Sequence, residues 1–189
     1  STEKGIEYPS LLRMSQIIEE IISTKPIVFS GPTFASEMVS HLPTAVTFAG
    51  DDISKTQKVR EVIASEFFQV EMSKDVTGVE FCSILKNIYS IAFGICKGID
   101  INENARYAIF TKSFQEMKNI LENIGGMAAT ADRYLGFGDL TLTSASRKSR
   151  NYTLGLLYGK KIVIDGNSSG ILFEGKKSIL GMKQVCIKN

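Results

Sequence analysis

The stretch from Val76 to Lys97 restricts the fold of this chain more than any other. Val76, Val79, Phe81, Cys82, Ile84, Leu85, Ile88, Tyr89, Ile91, Phe93 and Ile95 would surround a helix axis almost completely, and a helix that is apolar on every side has to be enclosed by other elements. Its polar residues keep register. Ser83, Lys86, Asn87 and Ser90 fall at i, i+3, i+4 and i+7, and Glu80 extends the row by three residues, so one polar seam runs along an apolar rod. Burying an unpaired ammonium costs several kcal/mol. Lys86 therefore either has a carboxylate partner or is held for its reactivity; the competing reading is a lysine that packs its stem between helices and keeps its head in water.

Either side of residue 74 the chain of 189 residues changes character. Residues 1–75 carry 7 Lys/Arg against 11 Asp/Glu, net −4, whereas residues 76–189 carry 15 against 9, net +6. Pro9, Pro26, Pro32 and Pro43 are all the prolines there are, and the later part is helix-compatible sequence punctuated by glycine. In the first part, Leu11 to Ser23 has a helical apolar spacing, with a strand-like Lys4 to Glu7 before it. Ile27–Ser30, Thr44–Ala49 and Phe67–Met72 read as strands, and Asp51–Ala64 as a helix between the last two. That order predicts βαβ connections and a partly parallel sheet. The second part predicts helices over Val76–Lys97, Glu103–Ile124 and Ser149–Tyr158, the middle one ended by Gly125-Gly126.

Composition excludes several classes. With 43% hydrophobic and 22% charged residues, a net charge of +2 and no basic run longer than two, nothing marks a nucleic-acid or membrane-surface binder. No uncharged stretch is long enough to cross a bilayer, and the first residues are not a signal peptide. Cys82, Cys96 and Cys186 sit among aliphatic residues without a C-x-x-C pair, which predicts core fillers in a reducing compartment, a cytoplasmic location, and no metal site.

Two further segments could carry chemistry. Gly136-Phe137-Gly138-Asp139 would let the backbone take a tight path presenting Asp139 to a cavity, although a Gly-rich turn with a solvated Asp is the commoner outcome. Close behind it, Ser149-Arg150-Asn151 at a helix start would gather a hydroxyl, a guanidinium and free N–H groups, a set suited to phosphate, against the plainer reading of a charged surface helix start. Gly31-Pro32-Thr33-Phe34-Ala35 follows a strand, where open α/β sheets bind ligands, or is a connecting turn. Glycine-rich nucleotide motifs and H-E-x-x-H are absent, and the one histidine, His41, reads as a surface loop residue.

Taken in order, Thr2-Glu3-Lys4-Gly5-Ile6-Glu7, Gly31-Pro32-Thr33-Phe34-Ala35, Leu42-Pro43-Thr44-Ala45, Asp75 to Glu80, Leu85-Lys86-Asn87, Asn104-Ala105-Arg106, Gly136 to Leu140, Ser149-Arg150-Asn151 and Phe173-Glu174-Gly175 resemble the NAD(P)-dependent glycerol-3-phosphate dehydrogenases over nearly the whole chain. The resemblance implies an α/β remnant, the end of a Rossmann-like nucleotide domain over residues 1–74, followed by a mostly α-helical substrate-binding and dimerisation domain over 75–189. It implies Lys86 as the general base, and substrate contacts from Lys4, Gly31, Thr33, Lys86, Asn87, Asp139, Ser149, Arg150 and Asn151. Lys4, Ala35, Arg150, Leu172 and Glu174 would meet the cofactor, NAD or NADP. It also implies a cytoplasmic homodimer that supplies glycerophospholipid synthesis. Against the family pattern, Phe81, Cys82, Ser83 and Ile84 replace small residues between the Glu and the Lys, and Thr33 replaces a serine. The family's glycine-rich fingerprint lies upstream of the motif that here begins at Lys4, so this chain is expected to turn over substrate only together with a nucleotide-binding half, and its last helices are expected to stop short after Gly181. Two alternatives stay open: a non-catalytic phosphate-metabolite-binding or dimerisation module, and a lysine-dependent dehydrogenase of another hydroxyacid.

Overall fold

The computed structural model describes residues 1–2, 4–162 and 174–188, with the backbone alone at Glu174, Lys176 and Lys188. In chain order the elements are α1 (Met14–Ile22), β1 (Val28–Ser30), α2 (Ala35–Val39), β2 (Thr44–Ala49), α3 (Ile53–Ile63), β3 (Phe68–Ser73), α4 (Val76–Gly98), α5 (Glu103–Asn123), α6 (Asp139–Ala145), α7 (Arg150–Gly159) and α8 (Glu174–Lys188). A 3₁₀ turn at Ala128–Asp132 and a π-helical turn at Tyr134–Gly138 join α5 to α6.

The sheet order is β1-β2-β3, with β2 parallel to β3 across α3 and β1 antiparallel to β2. Val46, Phe48 and Val70 form a small core of their own with Ile27, Phe29, Val59 and Phe68. The sheet is thus partly parallel, as the strand and helix order predicts. Lys4–Glu7 makes only a single bridge, Ile6 to Arg13, and α1 begins at Met14 because Leu11 takes a φ of 63°, which a right-handed helix cannot contain.

Everything else is arranged around α4. Asp75 caps it, accepting hydrogen bonds from the amides of Gly78 (2.8 Å) and Met127 (2.9 Å) and from the Thr130 hydroxyl (2.6 Å). Ile84, Cys82, Leu85 and Val79 are enclosed by Met117 and Leu121 of α5, Leu140 of α6, Tyr152 of α7 and Met182 and Val185 of α8. Of all these helices α7 comes closest. A Cβ on Gly155 would lie 2.0 Å from the Ile91 carbonyl, and one on Gly94 would lie 2.1 Å from the Tyr152 carbonyl, so the two backbones touch where only glycine fits.

The carboxyl-terminal helix runs through Gly181, which rests on Ile6, to Lys188. One expectation, that all three cysteines fill the core, is corrected. Cys186 is exposed, because α8 turns Ser178, Met182 and Val185 inward and the next position falls outside that face. By length and composition α4 is apolar enough to cross a membrane; here 83% of its most apolar window is buried within the protein.

Candidate active site

Four of the five polar residues of the α4 seam, Glu80, Ser83, Lys86 and Ser90, meet partners from other elements. Glu80 accepts from Arg13 (2.5 Å), the Ser15 amide (2.8 Å) and the Ser15 hydroxyl (2.6 Å) at the start of α1. One turn on, Ser83 Oγ lies 2.5 Å from Ser30 Oγ, which fixes the end of β1 against α4. Lys86 forms an ion pair with Asp139 at the first position of α6. Ser90 binds the Thr143 carbonyl and the hydroxyl of Ser149, the residue that caps α7. The seam is therefore the line along which sheet, α6 and α7 are attached.

Asp139 reaches Lys86 because the π-helical turn places Gly136 against Ala131, where a Cβ would stand 2.1 Å from the Ala131 carbonyl. It is not a solvated turn residue: Asp139 is 1% and Lys86 5% exposed. Lys86 is consequently no snorkelling lysine. Its pKa is lowered from 10.5 to about 8, first by burial; Asp139 opposes that shift and the nearby Lys4 ammonium adds to it. An amine that titrates near neutral pH between a carboxylate and a second ammonium can exchange a proton with a bound hydroxyl or carbonyl.

The remaining expected residues divide. Gly31, whose Cβ would crowd the Val46 Cα at 2.9 Å, and Thr33, whose hydroxyl donates to the Gly31 carbonyl, follow β1 directly after the Ser30–Ser83 contact. Pro32 approaches the same turn that carries Asp139, since a Cβ on Gly138 would lie 3.8 Å from its Cγ. Asn87, Ser149 and Asn151 are buried, and the Asn151 side-chain oxygen accepts from the Gly175 amide at 3.2 Å, seating the start of α8 against that of α7. Arg150 and Ala35 are exposed. Leu172 lies outside the described residues, and of Glu174 the structure gives only its place at the start of α8. Ser30 and Thr143 were not anticipated; their contacts span 53 residues, and no local pattern announces them.

Two buried side-chain donors have no protein acceptor among the described residues, Nε of Arg60 on α3 and Nδ2 of Asn87 on α4. On the residue that follows Lys86, the Asn87 donor suits an acceptor oxygen brought by a ligand, such as a carbonyl or carboxamide, so the residues present fit the nicotinamide end of a dinucleotide with its substrate.

A model of the NAD-dependent glycerol-3-phosphate dehydrogenase C-terminus matches residues 75–188, and one of the N-terminus of the same enzymes matches residues 1–56. The chain belongs to the NAD-dependent glycerol-3-phosphate dehydrogenase family. The glycerol-3-phosphate dehydrogenase [NAD(P)+] of Methanothermobacter thermautotrophicus is 38% identical over 183 residues, 96% of this chain and 56% of the relative. That of Carboxydothermus hydrogenoformans is 39% identical over 163 residues, 85% of this chain and 48% of the relative. This chain thus spans about half the length of the curated relatives it matches. The crystal structure of glycerol-3-phosphate dehydrogenase from Coxiella burnetii superposes with a TM-score of 0.90 at 31% identity, covering 99% of this chain and 58% of that one. The fold class expected of this dehydrogenase family, an α/β remnant followed by a helical domain, is the one observed.

Proposed function

We propose that these residues form the proton-transfer and phosphate-binding part of an oxidoreductase that interconverts sn-glycerol 3-phosphate and dihydroxyacetone phosphate, with NAD or NADP as hydride acceptor or donor. The observation that carries this reading is Lys86, buried between Asp139 and Lys4 with its pKa brought down to about 8. On this reading the neutral Lys86 amine takes the proton of the C2 hydroxyl as the C2–H hydride departs and the carbonyl forms. Bound nicotinamide supplies the acceptor for that hydride. In the reverse direction the Lys86 ammonium gives its proton to the carbonyl oxygen, so charge and atoms balance in both. Asp139 holds the amine in place, and the Lys4 ammonium stabilises the alkoxide that develops on the substrate oxygen. Asn87 offers Nδ2 to an oxygen of substrate or nicotinamide.

The phosphate would sit at the start of α7, where Ser149 frames the helix end and Arg150 and Asn151 supply side-chain donors at the positive end of the helix. Gly31 and Thr33 would close the substrate from the sheet side; Ala35, Arg150, Leu172 and Glu174 would lie toward the cofactor. We assign residues 1–74 to the end of the nucleotide domain and 75–189 to the substrate domain. The reading includes a cytoplasmic homodimer that feeds glycerophospholipid synthesis; three free cysteines agree with a reducing compartment.

The test is spectrophotometric: in the full-length enzyme, sn-glycerol 3-phosphate reduces NAD or NADP, and a phosphate-free hydroxyacid does not. Arg150→Ala raises the KM for sn-glycerol 3-phosphate at least tenfold with a smaller change in kcat, as expected of an anchor that binds ground and transition state alike. Equal turnover of the hydroxyacid would overturn the substrate assignment.

A further inference from the structure

We propose that Ser90 is a positioning residue for the anion-binding end of this site, acting by setting the direction of a chain of hydroxyl protons. The inference rests on the functional reading above. Ser90 lies on α4 one turn beyond Lys86 and is fully buried. Its Oγ lies 2.8 Å from the Thr143 carbonyl and 3.0 Å from Ser149 Oγ.

A serine hydroxyl has one proton, and a carbonyl has none to give. Ser90 therefore donates to Thr143, and the bond between the two serines is donated by Ser149. The Ser149 oxygen in turn accepts the Tyr152 amide at 3.3 Å. Protons point one way throughout, from the Tyr152 amide to Ser149, from Ser149 to Ser90, and from Ser90 to the end of α6.

This direction has two results. Ser149 has committed its proton inside the protein, so a phosphate at the start of α7 receives no O–H bond from it, and Ser149 acts as a helix cap. Second, Ser90 holds two elements at once. Thr143 belongs to α6 and donates its own hydroxyl to the Asp139 carbonyl at 2.7 Å. A single side chain on the Lys86 helix thus bonds the segment that brings Asp139 and the segment that brings Arg150 and Asn151.

Removing the Ser90 hydroxyl frees Ser149 to turn, withdraws the acceptor from the Tyr152 amide and loosens the first turn of α7, while the Lys86–Asp139 pair stays in place. In the full-length enzyme, Ser90→Ala is expected to raise the KM for sn-glycerol 3-phosphate five- to fiftyfold with kcat within about threefold of wild type, and to leave the KM for the dinucleotide and the pH midpoint set by Lys86 unmoved. Ser149→Ala should do the same. Because the two hydroxyls are links of one chain, the double variant should be no worse than the more affected single one.

A KM within twofold of wild type for Ser90→Ala, a parallel fall of kcat, or effects that multiply in the double variant would overturn the proposal. A second measurement needs no turnover: amide hydrogen exchange at Tyr152 should accelerate at least tenfold in Ser90→Ala, and unchanged protection there would also overturn it. Should the wild-type enzyme fail to oxidise sn-glycerol 3-phosphate, the functional reading falls while exchange at Tyr152 still decides the role of Ser90.

Discussion

Burial and the Asp139 carboxylate act on the Lys86 amine in opposite senses, and burial prevails. The sign of each contribution gives a pH experiment. On the proposed function, oxidation of sn-glycerol 3-phosphate requires the neutral amine, so its kcat/KM should rise with pH and level off above about 8. Reduction of dihydroxyacetone phosphate requires the ammonium and should decline across the same range. Lys4 lowers the Lys86 pKa, hence Lys4→Met should move the oxidation limb to higher pH; Asp139 raises it, hence Asp139→Asn should move the limb to lower pH. Stopped-flow or steady-state pH profiles of the three proteins check these directions, and a limb that moves the wrong way removes Lys86 as the titrating group. Lys86→Met should lower kcat by about a thousandfold, within the range of general acid–base catalysis. Lys86 and Asp139 both stood out in the sequence. Their pairing did not, because they are 53 residues apart and the turn that joins them is π-helical, a geometry without a residue signature.

Long elements were legible because they repeat. The predicted α4 and α5 agree with the observed ones to within a residue, and β2 agrees at both ends. Elements of 5 and 7 residues, α2 and α6, are too short to show a period, so the sequence alone presents Asp139 as a turn residue where the structure has a helix start. What no periodicity can reveal is how near two helices lie. At the α4–α7 crossing the answer rests in single glycines, where one added carbon meets main-chain atoms that have no rotamer to adopt. Gly155→Ala should destabilise the protein by at least about 2 kcal/mol, near the upper part of the cost of overpacking, and should raise the KM for sn-glycerol 3-phosphate as α7 moves away. A urea titration measures the first and steady-state kinetics the second. At the other end of α4, Asp75→Ala leaves three donors without their acceptor and should cost about 2–3 kcal/mol in the same titration.

Across the whole molecule, contacts far apart in sequence attach the amino-terminal segment to α4. Arg13 and Ser15 meet Glu80 more than 60 residues later, in a pair whose side chains are 17% and 6% exposed. Breaking a largely buried pair strands the other charge, so Glu80→Ala should cost about 3 kcal/mol. Limited proteolysis should then cut first within residues 1–26, and a thermal midpoint equal to wild type would show that Glu80 does not hold that segment. The sequence marked Glu80 as part of the seam without showing its partner, since an arginine two residues from a serine is an ordinary pattern. The order of motifs carried the family, whereas the contacts that place those motifs together became visible only in three dimensions.

The glycine crossing also bears on what such a protein could evolve to accept. Lys86 and Asn87 ride on one helix and Arg150 and Asn151 on the other, and the gap between the two backbones cannot close further or open without losing contact. On the proposed function the pair would work as a calliper set to one span between a reacting hydroxyl and a phosphate. Trimming or enlarging pocket side chains would adjust the fit around that span but not its length, so variants selected for a substrate one carbon longer should carry changes at Gly94 or Gly155 before any change in the residues that touch the ligand.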